Sequence, residues 1–152
     1  MGVRRVVTGE VEGRSTILTD GPPPSSAIWE NLWITGAGDP LGHDPVEAGD
    51  LEPPPGGLRW RLFSVPPDKA LRQMIAEHAG DGLEVGDEAF FHQTRTVDFV
   101  YVLDGGDLTL ELEEGEVLLH PGDCVVQRGT NHAWRNRNDV PVRLLVVMSS
   151  LP

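Results

Sequence analysis

From Leu58 onward, apolar and polar residues alternate in short bursts separated by turn residues. In Leu58-Arg59-Trp60-Arg61-Leu62-Phe63, Leu58, Trp60 and Leu62 share one face against Arg59, Arg61 and Phe63, the period of two that predicts a half-buried strand. The simplest placement leaves both arginines in solvent. Pro66-Pro67-Asp68 then opens the one helix the pattern supports, with Leu71, Met74, Ile75 and His78 at helical spacing and Gly80 as its stop signal. After Ala89 the punctuation becomes regular. Asp104-Gly105-Gly106-Asp107, Glu113-Glu114-Gly115, Pro121-Gly122-Asp123, Arg128-Gly129-Thr130 and Asn138-Asp139 divide strands of a few residues each, among them Leu108–Leu112 and the closing run from Pro141 to Met148. Many short strands with evenly placed glycine turns predict an all-β sandwich or barrel.

The region before Leu58 reads differently. Pro22-Pro23-Pro24, Pro40, Pro45 and Pro53-Pro54-Pro55 crowd into it. Proline fixes φ and lacks a backbone donor, so a long helix or a central strand is not expected there. Trp29, Trp33, Leu32 and Ile34 are too apolar for a disordered tail. Residues 1–57 are therefore predicted to form an extended arm that packs on a barrel domain of residues 58–152.

Charge and composition narrow the partners. The net charge is −12, with the acids concentrated between residues 62 and 120, and such a surface repels a phosphate backbone. Nucleic acid is thus a poor partner, and Arg128, Arg135, Arg137 and Arg143 are too few to reverse that. The apolar run Leu144–Met148 is far shorter than a membrane span. No apolar stretch follows the arginines of the N-terminus, and with a single cysteine no internal disulfide forms; a cytoplasmic location is expected. Cys124, in an apolar run, is expected to be a small buried residue, and His43, His78 and His120 to be surface residues.

Two stretches carry the candidate chemistry. In the first, Gly86 is followed after five residues by His92, then Thr94, Asp98 and Gly105. In the second, Gln127, Gly129, His132 and Asn136 follow Gly122. Together they resemble the paired motifs of the cupin superfamily, G-x5-H-x-H-x3-4-E-x6-G and G-x5-P-x-G-x2-H-x3-N. The first fits in every spacing, with Thr94 in place of the second histidine and Asp98 in place of the glutamate. The second fits from Gln127 on, with Gln127 in place of proline and Gly122 one residue closer. The resemblance spans roughly residues 58–149 and implies a small RmlC-like jelly-roll barrel with a polar interior pocket. Cupins of this size usually pair, so it also implies a homodimer.

The same resemblance implies roles. In the family four side chains from these positions hold a divalent metal; here His92, Asp98 and His132 supply three of the four. Two imidazoles and a carboxylate suit Fe, with Mn, Ni or Zn also compatible. Thr94 is a feeble ligand and Asp98 is a methylene short, and metal-free cupins exist, so an occupied and an empty centre stay equally open. Without metal, His92 or His132 would serve as acid or base with Asp98 orienting the ring, as dehydration, epimerisation or cyclisation requires. Thr94, Thr96, Gln127 and Trp134 lie beside the motif residues as substrate contacts, and Arg61, if turned inward, would bind a carboxylate. The expected function is a small-molecule enzyme, metal-dependent as an oxygenase or isomerase or else metal-free, acting on a polar or carboxylate-bearing substrate. A non-catalytic ligand-binding or sensory barrel is the alternative.

Overall fold

The computed structural model describes residues 2–24, 29–45, 51–79 and 87–152. Gly80, Gly86 and most of the acidic stretch between them and Glu88 lie outside the described residues, as does the side chain of His78. No helix among the described residues is long and apolar enough to cross a membrane.

The turn signals after Ala89 cut the chain where the glycines stand. Strands β6 (Thr96–Asp104), β7 (Leu108–Leu112), β8 (Glu116–Leu119), β9 (Cys124–Arg128), β10 (His132–Arg135) and β11 (Val142–Ser150) follow in order. Gly105, between β6 and β7, has φ +98°, and a Cβ there would meet the Pro141 carbonyl oxygen at 2.1 Å, so only glycine fits. Upstream lie β5 (Leu58–Val65), the helix α1 (Asp68–Ala79) and a single 3-10 turn (Asp87–Phe90).

The segment before Leu58 holds four strands, β1 (Arg5–Val11), β2 (Arg14–Gly21), β3 (Trp29–Gly36) and β4 (Asp39–His43). Strands β1 and β2 form a separate hairpin, tied to the body by Arg5, which donates to the Leu32 carbonyl at 2.6 Å and pairs with Asp44. Strands β3 and β4 join a six-stranded sheet of order β4-β3-β5-β11-β6-β9. The expectation that this segment lacks an inner strand is thereby corrected. Trp29–Gly36 contains no proline; the prolines bracket it, and β3 pairs with β4 on one side and, across the boundary at residue 57, with β5 on the other.

The second sheet has three strands in the order β10-β7-β8. Its inner face brings Leu108, Leu110 and Leu119 against Val100, Val102, Val142 and Leu144 of the six-stranded sheet, forming the core of an all-β jelly roll. Burying these side chains contributes roughly 1.5–3 kcal/mol each.

Register within the six-stranded sheet reverses one expectation. Arg59, Arg61, Phe63 and Val65 face inward, aligned with Met148, Val146, Leu144 and Val142 of β11, while Trp60 is 38% exposed. The inner register is dictated by β11, whose even positions are buried and whose odd positions are not. A period-two pattern identifies two faces but not which one is covered. Cys124 is exposed rather than buried, because it occupies the outer side of the edge strand β9.

Candidate functional site

The strand pairings explain which motif residues meet. His132 and Trp134 stand opposite Leu112 and Leu110 of β7, so both project from the core-facing side of the smaller sheet. The chain just before β6 then bridges to β10: the His92 and His132 backbones exchange two hydrogen bonds, of 2.9 and 3.0 Å. Their imidazoles come within 4.3 Å between ring centres, tilted by 58°. Trp134 meets the His132 ring edge-on at 5.7 Å.

Each imidazole has one nitrogen anchored. His132 Nδ1 lies 2.8 Å from the Thr130 carbonyl and His92 Nδ1 lies 3.3 Å from the Phe90 carbonyl. A carbonyl only accepts, so Nδ1 carries the hydrogen in both rings and the neutral ring presents Nε2 as a lone pair. His132 is only 3% exposed, and burial, assisted by the charge of His92, pushes its pKa down to about 4 against the upward pull of the Thr130 bond. It is therefore a neutral acceptor at physiological pH. His92 is the exposed member of the pair.

Asp98 sits on the inner face of β6, buried, aligned with Met148 on one side and Gln127 on the other. A chain of hydroxyls reaches it. Thr96, itself fully buried, donates to Asp98 Oδ1 at 2.6 Å, so at the 2.7 Å contact between hydroxyls Thr94 is the donor to Thr96. Burial raises the Asp98 pKa, with Glu52 adding to it, while the Thr96 bond and the charge of His92 oppose. The buried Gln127 amide reaches the Thr130 carbonyl at 3.4 Å, the same oxygen that holds His132.

The expected three-ligand metal centre is not assembled. Among the described residues, no three His, Cys, Asp or Glu side chains are grouped so that they could hold a metal ion. The two imidazoles meet, but Asp98 belongs to the hydroxyl chain on the neighbouring strand. Where a second motif histidine would stand, Thr94 spends its hydroxyl on Thr96. These residues do not fit a facial triad.

Arg61 does turn inward and is 1% exposed, yet it is engaged there. Its guanidinium donates to Asn31 Oδ1 at 2.9 Å and to the Leu51 carbonyl at 2.6 Å, and stacks on Trp29 at 4.8 Å. It joins β5 to β3 rather than lining the space beside the histidines. His43 and His120 lie at the surface, as expected, each beside an aspartate. Asn136, the last residue of the second motif, is fully buried and donates to the Val65 and Val140 carbonyls at 2.9 Å, fastening β5 to the turn before β11.

Beside the histidine pair opens a cavity of about 500 Å³. His92 and Trp134 form one wall and α1 another, with Leu71, Met74 and Ile75 facing Phe63 and Phe90. Sequence reasoning missed this space. The helical spacing of Leu71, Met74 and Ile75 was legible, but nothing local says whether such a stripe packs shut or leaves room.

Residues 82–148 match the cupin domain family. That match takes in a little under half of the chain. Oryzines biosynthesis cluster protein J of Aspergillus oryzae is 56% identical over 52 residues, 34% of this chain and 28% of its own length. Phomopsin biosynthesis cluster protein C' of Diaporthe leptostromiformis is 50% identical over 54 residues, 35% of this chain and again 28% of that protein. The matched region is thus a little over a quarter of each curated relative. Among solved structures, an RmlC-like cupin with a double-stranded β-helix fold from Methanocaldococcus jannaschii aligns at 15% identity with a TM-score of 0.42, covering 61% of this chain and 70% of that one.

Proposed function

We propose that this cupin is a cytoplasmic enzyme of small-molecule biosynthesis that moves a proton on its substrate, with His92 and His132 as the acid–base pair. The observation that carries this reading is the pair of imidazoles 4.3 Å apart, each with Nδ1 spent on a backbone carbonyl. Two adjacent imidazoles with Nε2 free of these bonds would let one ring take a proton while the exposed one returns it to substrate or solvent, work worth roughly 10²–10⁴-fold in rate. Asp98 contacts neither ring through a hydrogen bond; its part is to hold Thr96 and Thr94 in line within the barrel interior. The biosynthetic setting is carried over from the names of the two fungal relatives.

The test is proton exchange. A panel of small carbonyl compounds is incubated with the protein in D2O and read by mass spectrometry. Incorporation by the native protein, lost in both His92→Ala and His132→Ala, is the expected result. Exchange that survives both substitutions removes these residues from the chemistry, and tight binding without exchange or turnover makes the barrel a binding protein instead.

A metal-dependent variant has one observation in its favour: imidazoles anchored through Nδ1 and offering Nε2 are oriented as metal ligands are. A divalent Fe, Mn, Ni or Zn ion would supply polarisation of a substrate oxygen. With the third ligand missing, the expected metal content of protein purified without chelator is well below one per two chains. A full complement that is lost in His132→Ala would favour the metal reading.

We also propose that a second copy of the chain pairs through the outer face of the larger sheet. Trp60, Val147, Phe99 and Val126 align across β5, β11, β6 and β9, with Phe99 and Val126 more than half exposed. No charge interrupts that row, so it is complementary to itself, as a two-fold interface requires. Light scattering after size exclusion should give twice the chain mass, and a monomer in Phe99→Ser.

A further inference from the structure

We propose that the cavity beside His92 binds an uncharged small molecule with an aromatic or branched apolar body, whose single polar group meets the His92 imidazole. The polar end rests on the acid–base reading above; the apolar body follows from the cavity alone. Its volume of about 500 Å³ lies within the roughly 300–1,000 Å³ of small-molecule sites. The walls are mostly carbon. Phe63, Val65, Leu71, Ile75 and Phe90 surround it, and among the described residues His92 is the only titratable side chain in the lining.

The arginines that would welcome an anion are committed elsewhere. Arg135, 4% exposed, bonds Glu111 at 2.6 Å and stacks on the Phe90 ring at 4.4 Å. Arg72 stacks on Phe90 at 4.8 Å and pairs with Asp87. Both grip Phe90 without lining the cavity, so the wall is built before any ligand arrives. Arg61, the expected carboxylate anchor, is held by Asn31 and the Leu51 carbonyl and does not line it either. A carboxylate entering would lose its water and meet no arginine or lysine among the described lining residues, which selects against anions. On this proposal the cavity prefers a neutral ligand to the carboxylate-bearing one expected from sequence.

The experiment uses the full chain and needs no known substrate. The neutral fluorophore 1-N-phenylnaphthylamine is titrated in, and 4-butylphenol and 4-butylbenzoate, matched in size, are used as competitors. The phenol is expected to compete at least about tenfold better than the benzoate. Ile75→Gln, which places an amide in the wall, should weaken probe binding about tenfold with an unchanged circular dichroism spectrum. His92→Ala should narrow the phenol preference. A benzoate that competes as well as the phenol overturns the proposal, as does probe binding indifferent to both Ile75→Gln and Leu71→Gln. Probe binding that disappears as the chain self-associates also overturns it, since a second copy would then fill the cavity. The acid–base reading fails separately: if proton exchange survives both histidine substitutions while the phenol preference holds, that reading falls and the apolar site stands.

Discussion

The two faces of the six-stranded sheet are built against the usual order. Its inner face carries Arg59, Arg61, Thr96, Asp98 and Gln127, all buried, while its outer face shows Trp60, Phe99, Tyr101 and Val126 to solvent. The opposite assignment, polar out and apolar in, is the ordinary state of a half-covered sheet. Here the inner face is divided. Toward β7 and β8 it is an aliphatic core of Val102, Val142 and Leu144 against Leu108 and Leu110. Along the row Arg59–Met148–Asp98–Gln127 it is mostly polar, with Arg59, Asp98 and Gln127 bonded to Glu52, Thr96 and Thr130. One part of the interior holds the barrel together; the other holds side chains in position. An apolar outer face is tolerable only where something covers it.

Substitutions on each part should separate these roles. The largest loss is expected for Leu108→Ala, a fully buried side chain in the aliphatic part, at about 3–4 kcal/mol in urea unfolding. Arg61→Ala should cost about 3 kcal/mol, because it strands the Asn31 carbonyl oxygen and removes the stack on Trp29. A loss below 1 kcal/mol would mean that this buried arginine is not structural.

Next comes pH. His132 has a folded pKa of about 4 against 6.5 unfolded, so the unfolded chain binds the extra proton between these values. Stability from this group is complete above pH 6.5 and declines as pH falls toward 4, by at most about 3 kcal/mol. Asp98, raised in the folded state, acts in the opposite sense: its burial penalty fades as it takes a proton on acidification. The difference between native protein and His132→Gln, measured from pH 8 to 4, isolates the histidine; parallel curves would refute its burial as a neutral base. Trp60→Ser, on the outer face, should change monomer stability by about 0.5 kcal/mol or less while weakening self-association. An effect of opposite sign is expected for Asp98→Asn at pH 8, a stabilisation within about 1 kcal/mol, because the amide oxygen still accepts from Thr96 and no charge is buried.

Much of this was legible locally. The glycine turns located every strand after Ala89, Pro67-Asp68 located the start of α1, and two motifs nominated His92 and His132 as neighbours across forty residues. Turn chemistry and motif spacing are short-range properties, which a single sequence displays. What resisted reading was the side of things. The alternation in Leu58–Phe63 pointed to two faces, but the choice between them came from pairing with β11. Proline density obscured β3, whose eight residues between the proline clusters needed β5 and β4 beside them to become a strand.

The order of elements after Leu58 was determined by the sequence itself, because turn residues and strand periods act within a few positions; the jelly-roll class and the two imidazoles were implied by the resemblance of the paired motifs to cupins. Tertiary structure alone decided that Asp98 joins a hydroxyl chain instead of the histidines, that Arg61 is consumed by Asn31, and that α1 leaves an apolar cavity against Trp134. These are outcomes of register and packing between strands distant in the chain. A shift of one residue exchanges every side chain between core and solvent.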